Sequence, residues 1–342
     1  MSAQQNYPTN IEKSFWQGEP IVRLTAGGYE AVLVPGVGAQ LIALKDCRRG
    51  LDLLRNPVDL VDIEAYKARP QVYGIPLLFP PNRIEDGKLA IAGQTVELLV
   101  NDTNGHNHIH GFLRTRPWHL TQLEVVGAAI EVEAVFGGDS ATDSYSAYLN
   151  QFQFKLQYVL SEAGLKQRLT VTNQGRTPLP LGVGFHTAFK VPFHPGSSAA
   201  DCRLKVSIGR EWELTERILP TGKLLPLNEH DQAYRTSGAL PQGTPISGHF
   251  TVEELTVAGR PFHGAIIEDR SKGLRLVYTV GREYRHWMLW NDDGAAGFFC
   301  PEPQTWAINA PNLKLAPELT GYQELGPDAS WVGETAIAVE EI

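Results

Sequence analysis

The feature that most constrains this chain is an apolar/polar alternation of period two. From Gln151 it reads Gln-Phe-Gln-Phe-Lys-Leu-Gln-Tyr-Val-Leu, with Phe152, Phe154, Leu156 and Tyr158 on one parity and Gln151, Gln153, Lys155 and Gln157 on the other. Successive side chains of a strand point to opposite faces, so this segment is a half-buried strand. Ile130 to Phe136, Leu165 to Thr172 and Leu274 to Val280 alternate in the same way. Asp86-Gly87 predicts a tight hairpin before Leu89-Ala90-Ile91. Helical signals are scarce; the best is a short surface helix from Asp59 to Ala68, ended by Arg69-Pro70.

Many strands with few helices imply an all-β protein, a large antiparallel sandwich or barrel. The 23 prolines and 33 glycines fit the many turns such a fold needs. A length of 342 residues admits two domains or one large β domain. Two seams are visible, Pro192 to Ser198 and Ser237 to Gly248, but strand patterns resume across both without a change in composition. They are read as long loops within a single domain spanning residues 1–342.

With 42% hydrophobic and 20% charged residues the chain can bury a substantial core and is not of disordered composition. Its net charge of −8, with no long Lys/Arg run, argues against nucleic acid as a partner. Three scattered cysteines, Cys47, Cys202 and Cys300, form no CxxC pair and suit a reducing compartment. The first eight residues, Met1 to Pro8, contain no apolar segment of a secretion signal. No apolar run approaches the ~18 residues of a membrane span. The expectation is a soluble, cytoplasmic protein, monomeric or homodimeric.

Four segments collect polar groups that a core strand does not need. In Pro80-Pro81-Asn82-Arg83-Ile84, Asn and Arg offer several donors suited to hydroxyl or carboxylate recognition; the plainer reading is a turn Asn beside a surface ion pair. Asn104 to Gly111 carries His106, His108 and His110, which on a strand would share one face. Such a trio would bind zinc or transfer protons near neutral pH, unless Asn104-Gly105 starts a turn and only one or two are buried. His186 lies in the apolar stretch Gly182 to Phe189, where desolvation favours the neutral imidazole or a bonded core histidine. Glu302 stands between Pro301 and Pro303, behind Phe298-Phe299-Cys300. A carboxylate held rigidly beside apolar surface has its pKa raised toward the range of a general base.

In this order the segments resemble the aldose 1-epimerase, or galactose mutarotase-like, family. The matching elements are Asn82-Arg83-Ile84, Asn107-His108-Ile109-His110-Gly111, Gly184-Phe185-His186 through Phe189, and Pro301-Glu302-Pro303. Val34 to Leu44 resembles the family's first hairpin and Asn312 to Trp331 its close, so the resemblance runs from about residue 31 to 339. It implies a β-supersandwich with a sugar in a cleft, and no cofactor or metal. It implies Glu302 as the base on the anomeric hydroxyl, His186 as the acid on the ring oxygen, and His110 as a second histidine beside that oxygen. Asn82 and Arg83 would contact sugar hydroxyls.

The sequence departs from the family at one place. Galactose-type members carry an Asp where Ser247 stands, if Phe250-Thr251 is the anchor. The resemblance implies interconversion of the α and β anomers of a free sugar; the departure keeps a hexose 6-phosphate as an alternative substrate, for which Arg83, Arg114 and Arg116 would be candidate cations. A non-catalytic sugar-binding protein on the same fold is a further alternative. Of the tryptophans near Glu302, alternation lets at most one of Trp287 and Trp290 face a cleft, and Trp290 is taken as the candidate sugar contact; Trp306 is a third aromatic nearby.

Overall fold

The computed structural model describes residues 7–91, 94–137 and 151–342. Residues 1–6, part of the segment read for a secretion signal, lie outside the described residues. Strands dominate, and among the described residues they are antiparallel within every sheet.

The alternating segments build one eight-stranded sheet. Its order is His119–Val126, Ala129–Gly137, Phe152–Ser161, Gly164–Asn173, Ser330–Glu341, Leu274–Val280, Gly264–Asp269 and Cys202–Val206. Phe152–Ser161 and Gly164–Asn173 pair along their whole length, from Phe152↔Asn173 to Ser161↔Gly164. Phe152, Phe154, Leu156, Tyr158 and Leu160 are buried, and the residues between them are partly exposed. The sequence alternation thus marks the face that enters the core.

A second sheet runs Pro220–Leu225, Ile208–Leu214, Ser247–Val252, His286–Trp290, Phe298–Gln304, Gly184–Phe185 and Leu77–Leu78, with Phe189–Lys190 also on Phe298–Gln304. Its strand Phe298–Gln304 is buried at every residue, so both faces are covered. Phe299, Trp287 and Leu289 join Phe154, Leu169 and Tyr278 in the main core, which makes the two sheets a sandwich. Pro301 and Pro303 pair only with Leu289 and Trp287. On the other side Phe189–Lys190 stops at Phe299 and Gly184 begins at Gln304. This gap accommodates two residues that have no N–H to donate.

A five-stranded N-terminal sheet packs Leu24, Ala31, Leu33 and Leu44 into the same core. Its other face gathers Ile21, Val32, Val34 and Ile42 with Ile63, Tyr66 and Tyr73, and Trp290 packs against this second cluster. The Tyr66 hydroxyl donates to Gln40 Oε1 at 3.0 Å, and Gln40 Nε2 donates to the Pro70 carbonyl at 3.1 Å. These bonds fasten the Arg69–Val72 turn to the N-terminal sheet through Gln40.

Two local expectations change. The helix covers only Ile63–Ala68, not Asp59 to Ala68. Asp62 caps it by accepting from Ala65 N at 2.8 Å, and the residues before it form a turn in which Leu60 N donates to the Pro57 carbonyl. The Asp86-Gly87 turn exists, with both residues at positive φ. It joins strands of two different small sheets, because Arg83–Glu85 pairs with Asn107–Ile109 and Lys88–Ile91 with Gln94–Glu97. Both seams are spanned by sheet pairing, through Gly184↔Gln304 and Ile208↔Val252.

Candidate active site

Alternation along the second sheet sends Cys300, Glu302 and Gln304 away from the main core, on the face that also carries Met288 and Trp290. A cavity of about 250 Å³ lies against this face. Asn82, Arg83, His110, His186, Trp290 and Glu302 all line it. Loops and strands remote in sequence therefore deliver all six candidate residues to one place.

At its floor His186 Nε2 lies 3.2 Å from Glu302 Oε1. The His110 ring meets His186 edge-on with centroids 5.2 Å apart, and Trp290 meets it from another side at 5.4 Å. Glu302 is 1% exposed and His186 3%. Burial raises the Glu302 carboxyl well above the carboxylate range, with the Arg83 charge opposing it. Burial lowers His186, and also His110, where the neighbouring His186 adds to the effect. Both shifts express one cost, that of holding charge out of water. The pair is therefore most stable uncharged, with its proton on the Glu302 carboxyl and the His186 imidazole neutral. Glu302 Oε2 is buried without a hydrogen-bond partner among the described residues.

The loops are held by their own bonds. His110 and Gly111 both have φ of 64°, and a Cβ on Gly111 would lie 1.9 Å from the Phe79 carbonyl oxygen. Only glycine allows that approach. His110 N donates to the Asn82 carbonyl at 2.8 Å, which ties the two loops together. Arg83 Nε donates to Asp102 Oδ2 at 2.9 Å and Arg83 Nη1 to Asn82 Oδ1 at 3.1 Å. Asp102 also accepts from Asn107 Nδ2 and Gly105 N.

Several expectations need correction. The three histidines do not share a face, because the strand is only Asn107–Ile109 and His106 and His110 flank it with left-handed backbone. His106 is exposed and pairs with Asp86 at 3.2 Å. His108 is buried against the Leu99 carbonyl at 2.7 Å. Among the described residues no group of three His, Cys, Asp or Glu is placed to hold a metal ion. The phosphate trio does not assemble either. Arg114 is spent on the carbonyls of His110, at 2.9 Å, and Gly111, and Arg116 is not among the cavity's walls. Trp287 lies in the core and Trp290 on the cavity wall, in keeping with the alternation, and Trp306 is a core residue stacked on Tyr322.

Arg69, Gln71 and Met288 also line the cavity and were not anticipated. Met288 was discoverable, since it precedes Trp290 by two on the same strand. Arg69 read as a helix terminator, and its contribution depends on packing far along the chain. Asp102 carried no sequence signal of its pairing with Arg83. Ser247 faces the cavity, so the neutral hydroxyl stands on the wall itself.

The family model described as aldose 1-epimerase matches residues 20–338. A galactose mutarotase-like protein from Clostridium acetobutylicum is 38% identical, superposes with a TM-score of 0.95, and is covered over 99% of its length by 98% of this chain. Galactose 1-epimerase from Lactobacillus acidophilus NCFM has the same fold at 16% identity, with a TM-score of 0.70 and coverage of 98% of this chain and 99% of that one. The plasmid-borne protein LacX of Lactococcus lactis is 22% identical over 280 residues, 80% of this chain and 84% of LacX.

Proposed function

The chain belongs to the aldose 1-epimerase family, and on that footing we propose that it interconverts the α and β anomers of a sugar by acid/base ring opening and closure. The observation that carries the proposal is the buried 3.2 Å contact between His186 Nε2 and Glu302 Oε1 in the cavity. A hemiacetal opens when its O1–H proton leaves as its ring oxygen O5 gains one. Glu302 takes the O1 proton, and His186 delivers one to O5. The C1–O5 bond breaks, C1=O forms, and the carbonyl turns about C1–C2. O5 then attacks the other face while both protons return. The single proton of the pair passes from Glu302 to His186 across the 3.2 Å contact as the ring opens, which leaves the carboxylate to take the O1 proton and the imidazolium to serve O5, and the closing step reverses it.

His110, edge-on to His186, is assigned to the ring-oxygen side, and Arg83 with Asn82 to the sugar hydroxyls. Trp290 offers an aromatic face to the C–H face of the ring. No cofactor or metal takes part in these steps. Free cysteines, two of them buried, support a reducing compartment such as the cytoplasm. No helix among the described residues is long and apolar enough to cross a membrane.

The test is polarimetry of freshly dissolved α-glucose, α-galactose and their 6-phosphates. The purified protein should speed the approach to equilibrium rotation of at least one of them beyond the buffer rate. No acceleration with any sugar would instead favour a sugar-binding protein without catalysis.

A further inference from the structure

Gln304 shares a strand with Glu302, and the steps above give it no part. It is fully buried, and neither atom of its amide has a hydrogen-bond partner among the described residues. Burying an unpaired amide is costly, so packing alone would favour an apolar side chain of the same size. Gln304 is not among the walls of the cavity, so it does not touch a sugar held there. Any effect it has on the reaction runs through Glu302.

The sheet keeps the two side chains together. They stand two residues apart on one strand and point to the same face. Gly184 pairs with Gln304 on one side, and a Cβ there would lie 3.0 Å from Gln304 Cγ, so the glycine leaves room for this side chain. His286 pairs with Gln304 on the other side. Burial raises the Glu302 pKa, and the Arg83 charge and then the Gln304 amide oppose that rise. The other polar neighbours supply no charge. Burial and Glu302 itself hold the Cys300 thiol protonated. Burial and the neighbouring His249 keep His286 neutral, and its Nδ1 accepts from Trp212 Nε1 at 3.4 Å.

Ring opening makes Glu302 a carboxylate while its proton sits on His186. A buried carboxylate is stabilised by N–H donors on both oxygens. Oε1 faces His186, whereas Oε2 is buried without a partner among the described residues. Gln304 Nε2 is a donor on the same face with no other bond to keep it among the described residues.

Resting on the reading of Glu302 as the base, we propose that Gln304 is its positioning residue. Its amide N–H turns to Glu302 Oε2 when the carboxylate forms, and holds it charged and aimed as O1 gives up its proton. In the uncharged pair that bond is not made.

The test replaces Gln304 with Met, which has its length but no donor. Polarimetry gives kcat and KM. The infrared band of the protonated Glu302 carboxyl, identified by its loss in Glu302→Gln, gives the titration midpoint. Gln304→Met should lower kcat roughly 10–100-fold at unchanged KM, and raise the midpoint by about one pH unit or more. The midpoint rises because the lost bond is made only to the charged form. Unchanged kcat with an unmoved midpoint overturns the proposal and leaves Glu302 as the base. A fall in kcat with an unmoved midpoint makes Gln304 a packing residue and also overturns it. A raised midpoint in a protein that accelerates no sugar keeps the hold on Glu302 and removes the anomerase reading. If Gln304→Met does not fold, Gln304→Asn, which keeps the amide but withdraws it by one methylene, is read in the same way.

Discussion

Glu302→Gln separates the chemistry of the site from its architecture. Gln has nearly the same shape, and residue 302 lies on a strand held through its pairing with His286–Trp290. The amide keeps a polar contact with His186 across the 3.2 Å gap but cannot accept the O1 proton. The loss should therefore be the whole contribution of a positioned base, roughly 10²–10⁴-fold in kcat. Stability should move the other way. The buried carboxyl has a folded pKa above its unfolded value, so the native state holds the proton more tightly than the unfolded chain does. Wild-type stability then falls as pH rises from the ordinary carboxylate value toward the raised one, by up to about 1.4 kcal/mol per pH unit. The amide of the variant does not titrate and has no such slope. The variant should be at least as stable as wild type at pH 7, and the advantage should vanish as the pH is lowered toward the ordinary carboxylate value. Initial polarimetric rates with the buffer rate subtracted, and urea melts at several pH values, read both effects. Wild-type kcat in the variant would refute Glu302 as the base. A variant less stable than wild type at pH 7 would refute the burial argument.

Asp102→Asn frees the Arg83 guanidinium held at 2.9 Å, so KM should rise roughly tenfold with kcat nearly unchanged; an unchanged KM would show that Arg83 does not need this anchor. Gly111→Ala forces a Cβ against the Phe79 carbonyl at positive φ and should cost more than about 3 kcal/mol in a denaturant melt. For pH, the working pair carries one proton: it gains a second only below the lowered imidazole pKa and loses its last only above the raised carboxyl pKa. The profile of kcat should be a broad plateau extending well below the ordinary histidine pKa of about 6.5, and a narrow bell centred there would contradict the assignment.

Legibility in the sequence followed the number of faces a strand buries. Phe152–Ser161 buries one face, so its alternation is written residue by residue. Phe298–Gln304 buries both, so the same geometry leaves no alternation, and its two prolines resemble a loop. The register that makes it a strand is set by His286–Trp290 and by the gap opposite the prolines, neither of which is local. The histidine segment failed in the converse way. A period-two reading put His106, His108 and His110 on one face, but left-handed residues at 106 and 110 turn the chain at both ends of a three-residue strand. Of the three, His110 is the one that reaches the cavity.

The candidate residues were nameable because each is chemically conspicuous in its surroundings: a carboxylate between prolines, an imidazole in an apolar stretch, an Asn-Arg pair before a turn. Their supports were not. Asp102 and Gln40 are ordinary polar residues whose meaning comes only from the guanidinium or carbonyl that folding sets beside them. The same reasoning bears on Ser247. In the sequence it is a missing charge; in the fold it is a small neutral side chain on the cavity wall, two strands from Glu302. A hydroxyl there can donate and accept a hydrogen bond but adds no second negative charge to a wall that already holds a buried carboxyl.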